Sequence, residues 1–169
     1  NAKSGTVSFA GGMFGDVYTG AHVEKCVITG SVTSEVTGDA SAYAGAVAAR
    51  FCFDDWFGDD GYLSALEDNW YTKADRIVSS IKLETIGKYS KYISGTFAHV
   101  TGDVSIGNCY FDLQYDVEET LNAHTGIGRT AKELFDKDFL KNQLGLDFDE
   151  TWTMVLGKPE LNSKESRIA

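Results

Sequence analysis

Three stretches of this chain repeat one small-residue turn, and that recurrence limits the fold more than any other feature. They are Ala10-Gly11-Gly12-Met13-Phe14-Gly15, Tyr43-Ala44-Gly45-Ala46-Val47-Ala48 and Ile93-Ser94-Gly95-Thr96-Phe97-Ala98. Aligned on Gly12, Gly45 and Gly95, they bring Phe14, Val47 and Phe97 together two places on. Gly15, Ala48 and Ala98 then match as small residues. A second element follows each turn: Val23-Glu24-Lys25-Cys26-Val27-Ile28, Ile77-Val78-Ser79-Ser80-Ile81-Lys82 and Ile106-Gly107-Asn108-Cys109-Tyr110-Phe111. Val32, Ile86 and Tyr115 stand at a common offset beyond it.

A unit this short cannot bury its own apolar face, so its copies must stack to share a core. Alternation marks the units as strands, with Cys26, Ile28, Gly30 and Val32 facing inward and Val27, Thr29, Ser31 and Thr33 opposing them. The expected fold class is mainly β: a short right-handed β-solenoid of about three coils. An ordinary antiparallel sandwich is the alternative, because its strands recur at similar spacing.

The repeats resemble the GLUG repeats of bacterial surface proteins, named for Gly-Leu-x-Gly. Gly12-Met13-Phe14-Gly15, Cys26 with Thr29-Gly30-Ser31-Val32, and Asn108-Cys109-Tyr110 carry the resemblance. So does the ending, from Gly126-Ile127-Gly128-Arg129-Thr130 through Leu146-Asp147-Phe148-Asp149 and Thr151-Trp152-Thr153 to Gly157-Lys158-Pro159-Glu160-Leu161. The likeness covers most of residues 5–50 and 76–161, and departs from the pattern at Ala46, Ala48, Thr96 and Ala98. It implies a non-catalytic structural or adhesive module, similar to adhesin regions, secreted or held at a bacterial cell surface. The rest of a larger surface protein would lie upstream, and Asn1 in place of an initiator methionine agrees with a cut precursor.

One domain is expected over residues 1–169, with repeats at 5–115, a capping segment at 116–161 and a tail at 162–169. Thr130-Ala131-Lys132-Glu133 has the form of a capping box at a helix start. Leu134, Phe135, Phe139 and Leu140 follow at helical spacing, Gly145 stops the helix, and Trp152, Met154 and Leu156 alternate as a strand. This helix and strand form the expected C-terminal cap.

Residues 51–75 have no counterpart in the other repeats, and insertions of this kind loop out on one face. Trp56, Phe57, Tyr62, Trp70 and Tyr71 offer flat apolar area for a ligand, while Asp54, Asp55, Asp59 and Asp60 offer oxygens. Three readings stay open: a packed lid, an irregular calcium site, and a contact for a glycan or for a host or matrix protein. The helix-loop-helix calcium motif fails, because Trp56 and Gly58 fall where its first oxygens belong.

Charge narrows the partners. Twenty-five acidic against fifteen basic residues give a formal net charge of −10, and nucleic acid binding needs a basic footprint. No apolar run reaches the 18 or so residues of a membrane span. The chemistry of a catalytic site is equally thin. His22, His99 and His124 lack metal-ligand spacing, no Gly-x-Ser-x-Gly elbow occurs, and Gly126-Ile127-Gly128 opens no phosphate loop. Asp54 and Asp59 form a pair of the glycosidase kind that any acidic loop produces. No enzyme activity and no cofactor are expected, with calcium left open. Cys26, Cys52 and Cys109 form neither a disulfide framework nor a zinc pattern. Cys26, Ser80 and Cys109 are expected in one column of stacked strands. Cys26 and Cys109 would then lie about 9.6 Å apart, beyond disulfide reach, as buried free thiols.

Overall fold

Parallel pairing organises the chain. The computed structural model describes residues 1–17, 20–52, 72–88, 91–102, 104–115 and 126–162. The first parallel sheet runs β1 (Ala2–Ser4), β4 (His22–Val36), β7 (Thr72–Ile86), β11 (Cys109–Asp112) and β12 (Ile127–Arg129), with β10 (Val104–Ile106) also on β7. The second runs β2 (Ser8–Gly11), β5 (Ala42–Gly45) and β8 (Lys91–Ser94). The third runs β3 (Phe14–Val17), β6 (Ala48–Cys52) and β9 (Phe97–Thr101). A separate antiparallel hairpin joins β13 (Trp152–Val155) to β14 (Lys158–Leu161).

The expected fold class is therefore corrected. The molecule is mainly β, but its strands form separate parallel sheets and one antiparallel hairpin, and none of these sheets closes on itself. The right-handed β-solenoid of about three coils does not describe this layout. The antiparallel sandwich fails too, since β13 and β14 are the only antiparallel pair among the described strands. The physical reason is that a two-residue period and a recurring turn report strands and their inward faces. They carry no information about how sheets close.

The column assignments shift as well. Gly45 pairs with Gly11 and Ser94, so Gly12, Gly45 and Gly95 are not one column. Phe14 and Phe97 share a column with Ala48, not with Val47. Adjacent glycines at positions 11 and 12 leave an alignment free to slip by one, and a one-residue slip exchanges the two faces of a strand. Val32 pairs with Leu83, where Ile86 had been expected.

Close packing explains the small residues of the turns. A Cβ on Gly11 would lie 1.7 Å from the Phe14 carbonyl oxygen, and one on Gly45 would lie 1.9 Å from that of Ala48. Each turn therefore passes from the second sheet to the third with no room for a side chain. Ala42, Ala44, Ala46, Ala48 and Ala49 are all buried in the middle layer. Larger side chains fill what remains: Phe51 and Phe97 are buried with ring centroids 4.6 Å apart. Buried serine hydroxyls find partners, whereas Thr85 Oγ1 is buried with no hydrogen-bond partner among the described residues. Ser34 Oγ donates to the Ser8 carbonyl at 3.0 Å, and Ser79 Oγ donates to the Gly95 carbonyl at 2.6 Å. Ile28 and Val32 of the expected inward set are buried, Cys26 is half-buried, and Gly30 is exposed.

Both 15-residue strands kink at matched places. Glu24 pairs with Asp75 and Cys26 with Ile77, and the residues between them, Lys25 and Arg76, have φ of 54° and 55°. Asn108, just before Cys109 on the next strand, has φ of 22°. Left-handed backbone costs a residue with a Cβ about 1–2 kcal/mol. Arg76 offsets this by pairing with Glu24 at 2.8 Å and Asp75 at 3.0 Å, and Asn108 Nδ2 donates to Asp75 at 3.0 Å.

The C-terminal segment forms a second apolar cluster. Leu134, Leu140, Leu144 and Leu146 pack with Val78 and Tyr110. The capping box is present, with Glu133 N donating to Thr130 Oγ1 and Thr130 N donating to Glu133. Glu133 is held below the usual carboxylate range, chiefly by that Thr130 amide. The helix is broken where one continuous helix was expected. Short segments α1 (Ala131–Leu134) and α2 (Lys137–Phe139) are followed by a π turn at Leu140–Leu144. Asp136 caps the second segment through Phe139 N, and Gly145, at φ 66°, ends the turn. Leu156 leaves the strand and stands on the hairpin turn with φ of 48°.

Candidate binding strip on the outer sheet face

Inward residues of β2, β5 and β8 alternate with residues that point away from the core. Those outward positions are Phe9, Tyr43 and Tyr92, which are one register column. Parallel in-register pairing stacks them. Phe9 and Tyr43 have centroids 4.8 Å apart, and Tyr43 and Tyr92 are 4.4 Å apart with ring planes 5° from parallel. All three rings are half-buried.

The neighbouring sheet lays a polar column beside the rings. Asp16, Arg50 and His99 are register partners on β3, β6 and β9. The Arg50 guanidinium lies 4.7 Å from the Phe9 centroid and grips the Asp16 carboxylate through both Nε, at 2.7 Å, and Nη2. The His99 ring lies 5.8 Å from that of Tyr43. Burial, followed by the neighbouring Tyr92, raises the Tyr43 pKa, so it is a neutral phenol at physiological pH.

The ring faces inside the ladder are used by one another, and among the described strands the ladder ends at Tyr92. Donors and acceptors alternate alongside. A bidentate pair of opposite charges is locally neutral.

Trp56, Phe57, Tyr62, Trp70 and Tyr71, with Asp54, Asp55, Asp59 and Asp60, lie outside the described residues. Among the described residues, no three His, Cys, Asp or Glu side chains converge as a metal site. No described helix is long and apolar enough to cross a membrane. The strip itself was missed, although a signal existed. An aromatic residue stands two places before each of Gly11, Gly45 and Ser94, and this becomes visible once the turns are aligned in their true register.

Cys26 and Cys109 form no disulfide, and their column is corrected. Cys26 and Cys109 both pair with Ile77, so Ile77 stands between them where Ser80 had been expected. Cys109 is buried and Cys26 half-buried. Burial, followed by the charge of Asp75, pushes the Cys109 thiol up from 9.0 to about 12. The unfolded chain releases this proton first, so the stabilisation is complete below pH 9 and is lost as pH rises toward 12. Urea unfolding at pH 8 and pH 11 should show the stability advantage over Cys109→Ala shrinking by about 2–3 kcal/mol.

Compared with family models, curated proteins and solved structures, the chain matches none.

Proposed function

We propose that this chain is a non-catalytic structural and adhesive module of a secreted or cell-surface bacterial protein. The outer strip carries this reading. Three strands in register hold Phe9, Tyr43 and Tyr92 beside Asp16, Arg50 and His99, on sheets whose other faces are locked into a close-packed core. A side chain on such a support loses little further freedom on binding, which favours recognition. The resemblance to GLUG repeats, borne by Gly12-Met13-Phe14-Gly15 and Asn108-Cys109-Tyr110, supports the same class. An acidic chain with a neutral, aromatic strip suits an uncharged partner better than a polyanion.

Retention of the intact chain on immobilised polymers tests the proposal. Amorphous cellulose, chitin, insoluble xylan, collagen and fibronectin form a suitable panel. Saturable retention on at least one, with no release of soluble fragments from it, is expected. Retention on none of the five, or turnover of any, would contradict the proposal.

A further inference from the structure

We infer that the Phe9–Tyr43–Tyr92 strip binds a neutral polysaccharide; this rests on the adhesive reading and names its ligand. The first ground is shape. Three stacked rings make a ridge across three strands, and β8 is the last of the described strands of its sheet. Among the described residues the ladder therefore ends at the Tyr92 ring, which is half-buried. A flat aromatic face suits the C–H face of a sugar ring, burying apolar area without demanding charge.

The second ground is the polar column. Sugar hydroxyls both donate and accept, so a glycan site needs both kinds of group close to its apolar ledge. The Asp16 carboxylate accepts, the Arg50 guanidinium donates, and the Tyr43 and Tyr92 hydroxyls do either. His99 closes the row on β9 beside Tyr43.

The third ground is charge. Arg50 is already matched by Asp16, so the strip has no surplus cation to hold a phosphate or sulfate. The chain as a whole is at −10. An anionic polymer meets repulsion here, whereas an uncharged one meets none.

The experiment uses the full chain on amorphous cellulose, chitin and insoluble xylan, with collagen and fibronectin in parallel. At least one neutral polysaccharide should retain it. Tyr92→Ala and Arg50→Gln should each weaken that retention at least tenfold, while a Trp56→Ala/Trp70→Ala variant keeps it. Thermal unfolding of each variant shows that it is folded, and Tyr92→Phe, which preserves the ring, should retain most of the binding if Tyr92→Ala fails to fold. Retention on collagen or fibronectin alone would overturn the glycan assignment and leave the adhesive reading standing. Glycan retention insensitive to Tyr92 and Arg50, or lost with Trp56 and Trp70, would overturn the strip as its site. Retention on nothing would overturn both.

Discussion

Phe51→Ala should lower the free energy of unfolding by about 3–5 kcal/mol, the range for deleting a fully buried aromatic ring. Phe51 is wholly buried on β6. Its ring meets that of Phe97 at 4.6 Å, and Val17 and Val100 flank it in register. The same cluster holds Ala44, Ala46 and Ala48 together with Val47, Ile77, Ile81 and Phe97. The alanines cannot extend into the space that a missing ring leaves, and the larger side chains fill it only by leaving their own packing. The position within the range measures how far they do. Urea denaturation of Phe51→Ala beside Phe51→Leu measures it. A loss near 1 kcal/mol would mean that this ring is not at the centre of the core.

The second large effect belongs to Gly45→Ala, which should cost about 3 kcal/mol or more through overpacking. The added methyl would stand 1.9 Å from the Ala48 carbonyl oxygen and 2.6 Å from its carbon. Both obstacles are backbone, so no side chain can rotate out of the way. Relief requires the turn between β5 and β6 to open. That would disturb pairing on both sides, because Gly45 is bonded between Gly11 and Ser94. The same substitution at Gly157, on an open turn where a Cβ meets nothing within 4 Å, lacks that clash. Its φ of 79° leaves only a backbone penalty of about 1–2 kcal/mol. Equal losses at the two sites, read by thermal unfolding, would refute the tight turn.

These two residues also show what was legible in the sequence. Glycine and alanine at the turns announced a place where backbone meets backbone, and the structure supplies the carbonyls they meet. Local signals at the C-terminus were equally direct. Thr130 and Glu133 form their capping box, and Gly145 stops the helical stretch with a left-handed backbone. These are contacts within four residues, so sequence spacing determines them. Sheet closure is not of that kind. It depends on pairing between residues far apart in the chain, and on backbone features such as the left-handed Lys25 and Arg76 that no propensity of lysine or arginine announces.

The strip was hidden by a different cause. Phe9, Tyr43 and Tyr92 are ordinary aromatic residues in strands, and only the register makes them neighbours. Slipping the alignment by one residue, as adjacent Gly11 and Gly12 permit, sends the ladder to the wrong face. Arg50 and Asp16 are 34 residues apart, and no local pattern links them. Residues 51–75 drew attention because they have no counterpart, whereas the strip lies in the repeated part and was read as scaffold.

The most direct test is nuclear magnetic resonance mapping of the strip with a soluble oligomer of the neutral polysaccharide that retains the chain. The expected result is saturable shifts confined to Tyr43, Arg50, Tyr92, His99 and their strand neighbours on β5, β6, β8 and β9. Shifts centred on the Leu156–Lys158 turn or on residues 53–71, with Tyr43 and Tyr92 unmoved, would contradict it.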